Sequence, residues 1–177
     1  METLEFYKSI FDKEQYRRTE LNNAVNQPVT LVTILSGLLY FLFDTADLKG
    51  YTPLNFIILH LFIIGFFFFL ISIYYLSLSF NNLLKGFDYL DFPKTKELYD
   101  YFHNLEKEGN NPTEPPQIPF DKYLIKKYVT YADNYVEIND KRSLYLHKAK
   151  KFIILVLAAE IITLILILVK NNQNVFK

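Results

Sequence analysis

Charged residues avoid three blocks of this chain, 28–43, 54–80 and 152–169, except for a single carboxylate, Glu160, set in the middle of the last block. No small water-soluble core hides apolar runs of this length. A bilayer does, since its hydrocarbon interior of about 30 Å is crossed by about 20 apolar residues in a helix. The first block, roughly 16 residues long, sits near the lower limit, and the second is long enough to cross with some tilt. The mean hydropathy of +0.08 averages these blocks with strongly polar sequence and by itself conceals them.

From Asp121 to Val169 the chain has neither Gly nor Pro, although it passes from a tyrosine-rich, charged segment into the third apolar block. An uninterrupted helix over this stretch would measure roughly 70 Å at 1.5 Å per residue, the first half in water and the second in lipid. Along it Leu124, Tyr128, Tyr131, Tyr135, Ile138, Arg142, Tyr145, Ala149, Phe152, Val156, Ala159 and Thr163 recur in steps of four and three. That is a heptad seam, to be filled by another helix of the chain or by copies around a symmetry axis; oligomerisation is the favoured reading, because three spans leave few surfaces to enclose polar groups.

The expected fold is all-α, an integral membrane protein with three transmembrane helices. An amphipathic cytosolic helix occupies 1–27, with Leu4, Tyr7, Phe11, Leu21 and Val25 at helical spacing and Glu14, Arg17 and Arg18 interrupting the stripe. A transmembrane hairpin occupies 28–80, beginning at a proline that suits a first helical turn. Residues 81–120 form cytosolic helices, one reaching Leu90 and one from Thr95 to Lys107, followed by a proline-rich linker, GNNPTEPPQIP. The long helix takes 121–169, and 170–177 is an external tail. Lys and Arg number four in the N-terminal segment, one in the first connection, twelve in 81–151 and two in the tail. The positive-inside bias therefore expects the N-terminus and 81–151 to be cytoplasmic and the tail periplasmic, in a bacterial inner membrane.

Balanced totals of 19 basic and 19 acidic residues exclude bulk electrostatic attraction to nucleic acid, and the absence of Cys excludes disulfides, thiolate metal sites and a thiol nucleophile. Phosphate-cradling glycine loops, HExxH, GxSxG and a clustered acid pair are all missing, so neither an enzyme nor a metal or cofactor site is expected. His60, about 9 Å inside the second span by helical rise, reads as a neutral ring bonded to a neighbouring backbone or hydroxyl.

Glu160 is the sharpest chemical feature. A charge facing lipid near the midplane costs several kcal/mol, so this carboxyl must be neutral, paired or facing water. Copies around an axis would make a carboxylate ring lining a cation pore with Thr163 and Val156, and with Thr33 or Ser36 of the first span; the structural alternative is a protonated Glu160 bonded to span one or to His60. Arg142 interrupts the seam among tyrosines and needs a partner, with Glu137, Asp140 and Glu14 as candidates, or else a ligand. In the ligand reading, Arg142, Lys141 and Asn139 with Tyr135, Tyr131 and Tyr128 line a cytosolic vestibule in which phosphates are neutralised and bases stack. Arg142 and Glu160 lie 18 residues apart, roughly 27 Å along one helix, so a ligand sensed at one must alter the surroundings of the other.

The segments ETLEFYKSIFDKEQYRRTELNNAVNQPVTLVTILSGLLYF and NYVEINDKRSLYLHKAKKFIILVL, about a third of the chain, resemble small multi-span proteins of bacterial antiphage-defence islands, the nearest functional picture being the channel effector of Hailong-type systems. The resemblance implies a homo-oligomeric channel, such as a tetramer, whose vestibule takes a nucleotide or oligodeoxynucleotide made by a nucleotidyltransferase-like partner. The rival reading is a non-conducting membrane adaptor that recruits a cytosolic protein through the seam.

Overall fold

The computed structural model describes residues 2–48, 50, 52–80, 88–108 and 119–175. These form five α-helices and, among the described residues, no strand: α1 Glu2–Ala24, α2 Asn26–Thr45, α3 Pro53–Ser79, α4 Thr95–Glu108 and α5 Phe120–Val175. Among the described residues three helical stretches are long and apolar enough to cross a membrane: Thr3–Thr45, which takes in α1 and α2, Pro53–Ser79 and Phe120–Asn172. The all-α architecture with three such helices and one long C-terminal helix is therefore as expected.

Local chemistry explains the boundaries. Pro28 has no N–H, so the carbonyl of Ala24, four residues earlier, loses its helical donor; Val25 between them keeps helical dihedrals of −75° and −27°, and α1 runs into α2 with only this break. The turn after α2 is made by Asp47 at φ 37° and Gly50 at φ 97°. Thr52 then caps α3, its Oγ1 accepting the Asn55 N–H at 3.2 Å, with Pro53 in the first helical position where its missing N–H is harmless. Residues 88–94 are irregular, so the helix expected to reach Leu90 does not include 88–90; its earlier part, 81–87, lies outside the described residues, as does the linker over 109–118. Helix α5 does not stop at Val169 but continues through the expected tail to Val175.

The chain divides into two compact units, Met1–Leu21 with Lys85–Asp140, and Asn22–Leu84 with Lys141–Lys177. In the first, Phe11 of α1 and Ala132 and Tyr135 of α5 form a core packed by Ile10, Tyr89, Phe92, Tyr128 and Tyr131. Its rings meet at close centroid distances: 5.4 Å for Phe11–Tyr135, 4.6 Å for Tyr89–Tyr135 and 4.9 Å for Phe92–Tyr128. Helix α4 joins α5 through the stacked Tyr101 and Tyr123 rings, 4.0 Å apart.

In the second unit α2, α3 and the C-terminal part of α5 bury two clusters. Leu35, Ile153 and Val156 pack with Val32, Phe68 and Phe69; Leu42, Ala46, Ile58, Phe62 and Ile167 pack with Leu38, Leu48, Leu54 and Leu166. At Gly65 α3 faces α5, where a Cβ would meet Ala159 Cβ at 3.5 Å, an ordinary packing distance. The opposite faces stay open, with Ile34, Phe41, Ile63, Phe67, Ile154, Ile162 and Ile165 exposed. So large an uncovered apolar surface is ruinous in water and natural against lipid tails.

The seam of α5 is buried, but on a broader face than the heptad reading drew. Tyr135, Arg142, Ala149, Val156 and Thr163 lie on it as expected, whereas Leu146, Ile153 and Ile167 are buried where the reading had placed Tyr145, Phe152 and no residue. Two helices of the same chain flank α5 in the second unit, and a helix touched on two sides buries a wider stripe than one meeting a single partner.

Candidate functional site

Glu160 stands on the inward face of α5, between Val156 one turn before and Thr163 one turn after. Only 3% of it is exposed, and neither carboxylate oxygen has a hydrogen-bond partner among the described residues. Thr163, the nearest hydroxyl along the helix, spends its proton on the Ala159 carbonyl at 2.8 Å. His60 is exposed and bonds the Phe56 carbonyl through Nδ1 at 2.7 Å, within its own helix. The backbone-bonded reading of His60 thus matches its geometry, and a His60–Glu160 pair does not.

The five expected lining residues do not share a surface. Glu160, Val156 and Thr163 are buried inside the second unit of the chain; Thr33 and Ser36 are exposed on the outer face of α2, where Thr33 returns its hydroxyl to the Val29 carbonyl at 3.1 Å. Other polar side chains are buried in the same unit, Ser72, Ser79 and Asn55 of α3 among them. With Glu160 and Thr163, they run along the inside of the α3 and α5 helices.

Arg142 is also in this unit, and only 1% of it is exposed. Its Nε donates to the Ser79 carbonyl at 3.0 Å and its Nη2 to Asn22 Oδ1 at 2.7 Å, while Ser79 Oγ donates back to the Arg142 carbonyl at 3.2 Å. Ser79 is the last residue of α3, so the guanidinium sits where unsatisfied carbonyls and the negative end of the helix dipole concentrate. The partnered reading of Arg142 therefore fits, but these partners are a helix end and an amide that the sequence did not single out.

Glu14 belongs to a different cluster, in the first unit. Its carboxylate accepts from Asn139 Nδ2 at 3.0 Å and from Arg17 at 3.4 Å; Asn139 Nδ2 also donates to the Glu14 carbonyl at 2.9 Å, and Asn139 Oδ1 accepts from Tyr89 at 2.7 Å. Arg17 reaches Asp140 at 2.7 Å. Partial burial disfavours the Arg17 cation, but the bond to Asp140 and the charges of Glu14 and Asp140 outweigh this and hold its pKa above the ordinary arginine value. Arg18 lies 4.3 Å from the Tyr89 ring centre and donates to Tyr135 Oη at 3.2 Å. Of the expected ligand residues, Asn139 and Tyr135 are thus enclosed and bonded within the chain, Tyr128 and Tyr131 are half-buried in the aromatic core, and Lys141 is exposed.

Sequence spacing could have found Glu14 and Arg18. Leu4, Tyr7, Phe11, Glu14, Arg18, Leu21 and Val25 follow steps of three and four, so the two charges lie on the seam of α1 rather than interrupting it. Asn22, Ser79 and Tyr89 carry no such signal. Among the described residues no group of three or more His, Asp or Glu is placed to hold a metal ion. Searches against protein-family models, curated proteins and solved structures find no match to this chain.

Proposed function

We propose that this chain is an ion-conducting membrane protein in which Glu160 receives a proton or a small monovalent cation inside each protomer. The supporting observation is the enclosed carboxyl with both oxygens lacking a hydrogen-bond partner among the described residues. Proteins retain such a group against its cost of several kcal/mol where it meets a mobile charge. Ser72, Thr163 and Asn55 are buried in the same unit and are the polar groups that this reading assigns to the path. The path in this reading lies within the helices of one protomer instead of around a symmetry axis. Copies associate through the exposed Thr33, Ser36 and Gly37 face of α2, whose small side chains allow close helix approach. Arg142, Asn139 and Tyr135, already enclosed, present no open surface to a nucleotide-type ligand; Lys141 does.

Liposome flux tests the reading. Purified protein should dissipate an imposed proton or K⁺ gradient, and Glu160→Gln, which keeps shape and removes the ionisable oxygen, should lower the rate at least tenfold. Flux unchanged in Glu160→Gln would refute the assignment.

A second reading, recruitment of a soluble partner, draws on the exposed aromatic side chains Phe6 and Tyr16 of α1 and Tyr99 and Phe102 of α4. It predicts that Tyr99→Ser with Phe102→Ser abolishes partner capture and leaves Glu160-dependent flux untouched.

A further inference from the structure

Between the start of α2 and the C-terminal part of α5 the second unit has a groove of about 300 Å³, lined by Gln27, Pro28, Leu31, Lys150, Ile153 and Ile154. Its floor is Pro28 and Ile153, both buried, and its walls are Leu31 and Ile154, both exposed. Lys150 and Gln27, exposed as well, stand at its polar end. The groove lies where the charged sequence HKAKK gives way to the uncharged run FIILVLAA, so its cation sits at the headgroup level of a membrane containing that run and its apolar walls at acyl-chain level.

We propose that this groove is a binding site for one anionic phospholipid. Lys150 takes the phosphate as a charge-assisted hydrogen-bond donor, Gln27 offers its amide N–H groups to the phosphate or ester oxygens, and an acyl chain lies along Leu31, Ile153 and Ile154. Two features of the site select this occupant over others. The polar lining holds a cation and a neutral amide and no carboxylate, which favours an anion, and the apolar walls continue directly from the polar end, which favours an anion carrying a hydrocarbon chain. A free phosphate would use only the first feature and a neutral lipid only the second. Lys151, the next residue and also exposed, adds attraction to an anionic leaflet. The site is independent of Glu160, and the proposal stands whether or not the protein conducts.

The test is native mass spectrometry of the full chain released from vesicles of phosphatidylcholine with 20 mol% phosphatidylglycerol. One phosphatidylglycerol per protomer should be retained in preference to phosphatidylcholine. Lys150→Ala, removing the phosphate contact, and Leu31→Trp, filling the groove without changing charge, should each lower that retention at least threefold; Lys122→Ala, a lysine outside the groove, should not. Circular dichroism identifies any variant that has failed to fold, and the remaining groove variant then decides. Equal retention of the two lipids, unchanged retention in a folded groove variant, or full displacement of the lipid by 10 mM inorganic phosphate would each overturn the proposal.

Discussion

The side-chain amide nitrogen of Asn139 donates twice to one residue, to the Glu14 carbonyl at 2.9 Å and to the Glu14 carboxylate at 3.0 Å, while its oxygen accepts from Tyr89. Helix α5 is thereby held to the backbone and the side chain of α1 at once, in a position that shape-matched apolar residues cannot reproduce. Asn139→Ala should leave the enclosed Glu14 carboxylate only its longer contact to Arg17 and take away the oxygen that Tyr89 donates to, and destabilise by about 1–3 kcal/mol, the cost of a buried polar group losing its partner. The check is chemical denaturation followed by near-ultraviolet circular dichroism of the tyrosines.

Neighbouring arginines on α1 should differ in worth. Arg17 bridges to an exposed Asp140, and Arg17→Ala should cost under about 1 kcal/mol, as surface ion pairs do. Arg18 lies over the Tyr89 ring and bonds Tyr135, so Arg18→Ala should cost more, about 1–2 kcal/mol. Because the Arg17 pKa is raised, its contribution is complete below the ordinary arginine value and is lost only as pH rises beyond it. The Arg17→Ala difference should therefore stay constant between pH 7 and 10 in the same denaturation measurement.

Arg142 binds two oxygens of different elements with two different nitrogens, a geometry an ammonium cannot copy. Arg142→Lys should keep one contact and lose about 1.5–3 kcal/mol, the worth of one hydrogen bond to a charged group, while Arg142→Met should lose more, because both contacts go and the Ser79 carbonyl loses its guanidinium donor. Thermal unfolding of the three proteins in one detergent gives the order.

Glu160 should behave in the opposite sense. Replacing an enclosed carboxyl that lacks partners by an apolar side chain of similar volume removes a desolvation cost, so Glu160→Leu should raise stability by about 1–3 kcal/mol. The same substitution should abolish flux. A Glu160→Leu protein that melts earlier than wild type would show that Glu160 bonds something in the assembled protein.

Lys170 donates to the carbonyls of Ala46 and Asp47 at 2.7 and 2.6 Å, closing the end of α2. Lys170→Ala should speed amide exchange over residues 46–48 at least tenfold, about 1.4 kcal/mol of lost local protection. Asp47→Gly should stabilise by a few tenths to about 1 kcal/mol, because a side chain at φ 37° is strained where glycine is not.

Length and hydropathy by themselves determined three membrane-spanning helices, because a lone apolar run of such length satisfies its backbone polar groups in lipid by bonding within itself as a helix. Spacing alone also marked the face of α5 that carries Arg142, Val156 and Thr163. Which neighbour each polar seam residue meets was decided by tertiary packing. Arg142 bonds the end of α3 and Asn22, residues 63 and 120 positions away, and Asn139 meets Glu14 from 125 away. No local pattern encodes such distances. The burial of Glu160 was decided the same way: its spacing is compatible with facing another copy or the inside of its own chain, and the packing of α5 within the second unit leaves it 3% exposed.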